Sequence, residues 1–440
     1  MTITKGAVPP PSRTARGVLT GVGHLGRSAP SALSSYGTVA RWAWAYWLAC
    51  AGFALTLAVT TGLGPHRVWG SCAAAGYATA AVLTLGGDRS WRRAGAVAAL
   101  VGAVVVPLVV LVVSGAAQSE VGVVERSGDL LLHSGSPYLP DPVRTVDFNP
   151  YLPGMALFGL PRALFGAGPL TDARVWFCAA FLACMVFAAR RPAGASRPRP
   201  SSVGPATAVA SLAAFPAVAL PLAVGGVDLP VVGLMCLGLA LAGRRGSGTA
   251  AGLAMGAAAA LKWTAWPLLP VGLVLLAVTT GRRTTLRAAV AALSVAVPAV
   301  LPVALADRHA FVEHVVLFPL GEGGVRSPAT SPLPGHLLAA HVPGGSVLAT
   351  VALVAAALGM ALSLLIRPPR TVRAAADRLA VGLGLAICLM PATRFGYLVL
   401  PLVLAAWFRL PWSPAVRRAS AYSVAPPADA GQPACVSGPG

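Results

Sequence analysis

Ala259-Ala260-Leu261-Lys262-Trp263-Thr264-Ala265-Trp266-Pro267 is the stretch that decides how this chain is read. A lysine stands between two apolar runs, and the chain has only one other, Lys5. A cation at hydrocarbon depth costs about 2.5–3.5 kcal/mol on insertion scales, so it is retained where it has a partner or a task. A lysine that snorkels and merely marks a helix end is the plainer alternative. In a membrane protein the obvious partner for such a cation is an anion such as a lipid phosphate.

Outward from Lys262, composition fixes the class. The 440 residues are 56% hydrophobic and 10% charged, with a mean hydropathy of +0.74. Soluble domains carry about 25% charged residues, so this is an integral membrane protein. The net charge of +20 does not mark a nucleic-acid binder. The arginines fall in short clusters between apolar runs, which is the positive-inside pattern and not a basic binding face. Arginine in place of lysine, with abundant Ala, Gly and Pro, points to a GC-rich bacterial genome and hence to a bacterial plasma membrane. Cys50, Cys72, Cys178, Cys184, Cys236, Cys388 and Cys435 show neither metal-ligand spacing nor a disulfide framework and read as small core residues. Residues 1–40 are polar, basic and Pro/Ser-rich, without the apolar stretch of a signal peptide, and read as a disordered cytoplasmic tail. Residues 411–440 read the same way.

The fold expected for residues 41–410 is an all-α polytopic membrane domain. A span needs about 20 apolar residues. Candidate spans are 43–62, 69–85, 94–115, 173–189, 203–224, 229–243, 249–264, 265–280, 288–306, 346–366, 379–392 and 396–410. That is about 12 transmembrane helices, within a range of about 10–13. The apolar stretch 150–166, interrupted by Pro150, Pro153 and Pro161, reads as interfacial or re-entrant. With an even span count, the arginine clusters at 89–93, 190–199, 244–245, 282–287 and 367–378 all fall on one side. That side is the cytoplasm, with both termini inside. Most acidic residues and six of the seven histidines then fall outside, where two long extracytoplasmic loops lie at about 116–172 and 307–345. Loops beyond about 12–15 residues are commonly functional or disordered, and the aromatics in these two argue that they fold back onto the membrane face.

Four constellations could carry chemistry. Glu120, Glu125 and Asp129 follow the third span, with Glu120 nearest the membrane and Glu125 and Asp129 on one face if the stretch is helical. A carboxylate at the lipid–water boundary suits a general base, whereas Glu125, Arg126 and Asp129 also read as a solvated helix end. His133, Gly135, Pro137 and Tyr138, then Asp147, Pro150, Tyr151 and Pro153, read as turns that start and bend the next segment. Lys262 with Trp263 and Trp266 lies on the outer side, as does Arg394 in Thr393-Arg394-Phe395-Gly396-Tyr397, against the positive-inside trend. Arginine grips phosphate in a fork and lysine as a point charge. Two cations and a carboxylate at one membrane face are what a phospholipid-linked donor needs.

On these motifs the chain resembles the polytopic glycosyltransferases of family 87, within the C-type superfamily. The resemblance rests on Glu120, on Leu131-Leu132 through Gly135, Pro137 and Tyr138, on Tyr151-Leu152-Pro153, on Ala259 through Lys262 to Pro267, and on Arg394, Tyr397, Leu398 and Pro401. It covers about residues 43–410. It departs from the family's pattern in carrying glutamate, as Glu120 or Glu125, where an aspartate is usual, and Leu152 within a Tyr-Pro-Pro run. The resemblance implies transfer of a sugar, typically mannose, from a polyprenyl-phosphate donor to a glycan or glycolipid acceptor at the extracytoplasmic face. It implies inversion, with Glu120 or Glu125 as base and Lys262 and Arg394 on the donor phosphate. Asp129, His133, Tyr138, Asp147 and Tyr151 would line the substrate loops, and no metal or other cofactor is called for. A transporter or lipid flippase, another lipid-linked polymer transferase, and an inactive scaffold remain the rival readings.

Overall fold

The computed structural model describes residues 42–86, 89–190, 204–244, 246–325 and 328–409. The expected tails at 1–40 and 411–440 lie outside the described residues, as do Arg191, Arg197 and Arg199. The described residues form helices and turns with one isolated bridge between Thr330 and Thr393, and no strand.

All twelve expected apolar segments are helical, some of them interrupted. The first three are α1 (Ala43–Thr60), α2 (Gly64–Leu85) and α3 (Arg89–Leu100), the last continuing through a π turn at Val101–Val105 into α4 (Val106–Val113). Pro107 explains the π turn: it has no N–H for the carbonyl four residues back and its ring crowds it. That carbonyl, on Ala103, instead accepts a hydrogen bond of 2.8 Å from the Trp69 indole.

The first of the two long loops, named outer for the side expected of it, is built from α5 (Ser119–Ser134), 3-10 turns at Thr145–Asp147 and Pro153–Phe158, and α6 (Leu160–Phe165). Next come α7 (Ala173–Ala189), α8 (Pro205–Ala213), α9 (Pro216–Val224), α10 (Asp228–Ala242), α11 (Gly248–Leu261), α12 (Leu268–Thr279) and α13 (Arg282–Ala306). The single span expected at 203–224 is two helices, α8 and α9, bent by 78°. Pro216 forces Phe215 out of the helical region, and the Tyr77 hydroxyl takes the freed Ala214 carbonyl at 2.7 Å.

The second outer loop holds α14 (Arg308–Phe311), a π turn at Val312–Leu317, α15 (Phe318–Leu320) and α16 (Pro334–His341). The chain then runs through α17 (Gly345–Ile366), α18 (Val372–Leu389), a 3-10 turn at Phe395–Leu398 and α19 (Val399–Trp407).

Among the described residues five helices are long and apolar enough to cross a membrane, or six if the bent pair counts as one. The other apolar helices stop short of the expected span length. Helices α10 and α11 have 15 and 14 residues, about 21–23 Å against a hydrocarbon core of about 30 Å. Their truncated ends share a location: α10 starts at Asp228 and α11 stops before Lys262, and these two residues touch. At the opposite end arginines tie the helices together. Arg244 donates to carbonyls of Phe187, Ala188 and Arg190, Arg378 to Ser363, and Arg409 pairs with Asp377 at 2.7 Å.

Tight packing holds the core around α10 and α11. Gly252 and Gly256 stand four apart on α11, and a Cβ on either would lie within 2.3 Å of a carbonyl oxygen of Ala288 or Ala292. Small residues at this spacing let two backbones meet, the usual helix contact in membranes. The stretch 150–166 is drawn into this core. Leu152 is buried, its N–H donates to the Leu261 carbonyl at 3.1 Å, and Gly154 rests against Ala260. The first outer loop is thereby pinned to the end of α11, one residue from Lys262.

Candidate active site

Lys262 leaves the helix with extended backbone directly after α11, and its side chain is buried. Burying an unpaired ammonium would be prohibitive. Its partner is Asp228, the first residue of α10, with Nζ 2.6 Å from Oδ1. Nζ also lies 4.7 Å from the centre of the Tyr397 ring and 5.7 Å from that of Tyr151. Such cation–π contacts add about 0.5–2 kcal/mol each when desolvated.

A second ion pair joins Arg394, after α18, to Glu120 in the first turn of α5. The Ser119 hydroxyl donates to the other carboxylate oxygen at 3.1 Å. Arg394 is held in place by the second outer loop. The N–H of Thr393 donates to the Ala329 carbonyl, and the N–H of Ser331 to the Thr393 carbonyl, each at 2.9 Å. Phe395 donates to the Ser331 hydroxyl at 3.1 Å.

Lys262 of the first pair and both members of the second line a cavity of about 180 Å³. Its charged lining residues are Glu120, Lys262 and Arg394. Tyr151, Tyr397, Trp263 and Thr264 add aromatic and hydroxyl surface. One wall is apolar: Leu383, Ala386, Ile387 and Met390 recur at helical spacing along α18, joined by Leu400. A cavity with a fixed pair of cations beside an apolar wall can hold an anion that carries a hydrocarbon chain, with a carboxylate within the same space.

The model of glycosyltransferase family 87 matches residues 149–391. The chain belongs to glycosyltransferase family 87. No curated protein sequence matches it. Its structure is similar to the crystal structure of ArnT from Cupriavidus metallidurans bound to undecaprenyl phosphate, at 21% identity and a TM-score of 0.41. That likeness covers 66% of this chain and 54% of the other, so the chain spans about half the length of that protein. Within the family match lie Tyr151, Asp228 and Lys262, whereas Glu120 lies well before its start and Arg394 just beyond its end.

The family 87 chain brings Glu120, Tyr151, Lys262 and Arg394 together, as the shared side of these residues implied. The remaining expected residues lie elsewhere. Glu125 is one helical face away from the cavity. It accepts the N–H of Ala173 at 3.2 Å and pairs with Arg162 at 3.3 Å. Burial raises the Glu125 carboxyl above its usual range, against the pull of the Ala173 N–H and Arg162. Asp129 and His133 form an exposed pair at 3.3 Å near the far end of α5. Asp147 is hydrogen-bonded by Arg144, which brings its pKa down to about 2, and it closes a turn whose neighbours Thr145, Val146 and Phe148 line the cavity.

Tyr138 is buried beneath the loops and donates its hydroxyl to the Tyr151 carbonyl at 2.8 Å. It stacks on His314, a fully buried histidine in the π turn of the second loop. His314 Nδ1 accepts the Asn149 N–H and Nε2 donates to the Leu139 carbonyl, both at 2.8 Å, which defines the neutral tautomer. Burial holds its pKa below the usual value. Asn149 in turn donates to Ser127 and Pro137 and accepts from the Tyr151 N–H. Phe148 stacks on Phe318 with ring centres 4.4 Å apart. The two outer loops are thus bolted to each other, and the bolt fixes Tyr151 over Lys262.

Asp228, His314 and Arg174 were not singled out from sequence. Arg174 is buried, pairs with Asp172 at 2.6 Å, and caps the Leu111 carbonyl in the last turn of α4 and the Ala116 carbonyl just beyond it. Asp172 and Asp228, each at the head of an apolar run, were the available signal, since a carboxylate buried there needs a cation.

Proposed function

We propose that this member of glycosyltransferase family 87 moves a sugar, mannose first among candidates, from a polyprenyl-phosphate donor to a hydroxyl of an extracytoplasmic glycan or glycolipid. The observation that carries this reading is the cavity itself. Lys262, Arg394 and Glu120 are its charged lining, beside the apolar wall of α18. The donor phosphate would lie against Lys262 and Arg394, and its chain along Leu383, Ile387 and Met390. The cations stabilise the charge that grows on the phosphate as it leaves, which is where preorganised donors act most strongly.

Glu120 is the base. As the acceptor hydroxyl attacks the anomeric carbon, its proton passes to a Glu120 oxygen. The new C–O bond forms on the face opposite the breaking bond to phosphate, whose electron pair stays on the phosphate oxygen. The anomeric configuration therefore inverts. The arginine ties at the opposite end of the bundle support an outer site with both termini in the cytoplasm. The helices that stop short at the cavity complete the multi-pass domain of about twelve segments.

The test is transfer by purified protein in lipid, with radiolabelled polyprenyl-phosphate mannose and a membrane acceptor extract. Wild type should transfer label and Glu120→Gln should not. Transfer that survives Glu120→Gln moves the base elsewhere. A protein that neither transfers nor binds the donor is a transporter or a scaffold instead.

A further inference from the structure

The two ion pairs at the cavity differ in where the carboxylate stands. Lys262 lines the cavity and Asp228 does not; Asp228 holds the ammonium from behind, and both side chains are nearly sealed, at 8% and 10% exposure. An ammonium has three N–H donors, so Lys262 can keep Asp228 and still offer protons forward. Glu120 and Arg394 both line the cavity, and they are more open, at 17% and 29%. The carboxylate that engages Arg394 therefore stands in the space a phosphate would enter. A phosphate and Glu120 are rivals for one guanidinium, whereas a phosphate and Asp228 are neighbours on one ammonium.

We infer that Glu120 is the resident anion of the phosphate seat on Arg394, displaced when the donor binds and available as a base only then. This rests on the reading of the cavity as a lipid-phosphate site. Before the donor arrives, Arg394 masks the carboxylate, so an acceptor hydroxyl meets no free base and the donor binds first. During transfer the acceptor oxygen bonds to the anomeric carbon, the carbon–phosphate oxygen bond breaks with its electrons on phosphate, and the hydroxyl proton goes to Glu120. Neutral Glu120 no longer competes for Arg394, and the phosphate now carries a further negative charge, so the product is held. Once the proton passes to water, the carboxylate returns to Arg394 and the polyprenyl phosphate is expelled. One residue then governs entry of the donor, timing of the base and release of the product.

Opposite signs for the two carboxylates make this testable. The probe is undecaprenyl phosphate, titrated into the full chain in phosphatidylcholine nanodiscs and read by tryptophan fluorescence, with undecaprenol as the uncharged control. Glu120→Gln should bind the phosphate about tenfold more tightly than wild type, the size of one partly desolvated ion pair, while losing transfer. Glu120→Asp keeps the competing charge and should bind within about twofold of wild type. Asp228→Asn, which removes the backing of Lys262, should bind about tenfold more weakly. Equal or weaker binding by Glu120→Gln, with wild-type binding intact, overturns the inference and leaves the proposed function standing. Wild type that binds undecaprenol as well as the phosphate overturns both.

Discussion

The Asp228–Lys262 and Glu120–Arg394 pairs are similar in chemistry and opposite in construction. The first joins the starts and ends of two adjacent core helices, 34 residues apart in sequence, within the family-matched residues. The second joins residues 274 apart, each on an outer connection and each beyond the family match. The first pair is sealed and the second half-open. A sealed pair is part of the bundle's framework and its loss is felt in folding. A half-open pair is free to exchange partners, so its loss is felt in chemistry.

The largest effect expected from this contrast is at Lys262. Lys262→Ala should abolish transfer and cost about 3–5 kcal/mol of stability, because it leaves Asp228 buried without a counter-charge. The double variant Lys262→Met with Asp228→Asn should regain most of the melting temperature and none of the transfer. A double variant that transfers sugar would reduce the pair to scaffolding. Arg394→Gln comes next. Transfer should fall by about 10²–10³-fold, while thermal unfolding moves by no more than about 1 kcal/mol. A large loss of stability there would erase the distinction between the pairs.

A smaller effect is expected where the loops are bolted together. His314→Gln should cost about 1–3 kcal/mol locally and expose 307–345 to proteolysis, since it disturbs hydrogen bonds to Asn149 and Leu139. Burial is the main cause that holds the His314 pKa down; the hydrogen bond to the Leu139 carbonyl opposes it, as do Glu313 and Asp307, and Arg126 adds to it. The contact therefore contributes fully above about pH 6.5, the unfolded value, and weakens as pH falls toward the lower folded one. Protease nicking should rise between pH 7 and 5 in wild type, and that dependence should flatten in His314→Gln. The smallest effect is at Glu125, which caps α7 and faces away from the cavity. Glu125→Gln should transfer within about twofold of wild type; a loss matching that of Glu120→Gln would move the base to the other face of α5.

Much of the fold was legible because apolar length is a local property. Each expected span corresponds to helix, and Pro107 and Pro216 mark where helices are disturbed. The 78° bend itself was not legible, because it needs Tyr77, on another helix, to satisfy the Ala214 carbonyl. At the site, sidedness alone placed Glu120, Lys262 and Arg394 at one face, and the structure brings them to one cavity. Sidedness does not say which charge meets which. Asp228 reaches Lys262 only because α10 packs beside α11, where Gly238 meets Met255, and His314 is recognisable only once two loops meet. Glu120 and Glu125 are separated by the turn of a helix, which sends one to the cavity and the other to the cap of α7.

Helix α11, with 14 residues, packs against α13, with 25, and α10, with 15, lies on its other side. Helices α10 and α11 are buried in the bundle and fall about 8 Å short of a hydrocarbon core of about 30 Å, so the cavity at their ends forms a notch below the level of the lipid headgroups. Lipids there must thin or leave the notch to water, at a cost of fractions of a kcal/mol per Å of mismatch. The mouth of the cavity thus follows the thickness of the membrane around it. Phosphatidylcholines of increasing acyl length should progressively bury that mouth and slow transfer without altering any residue of the site.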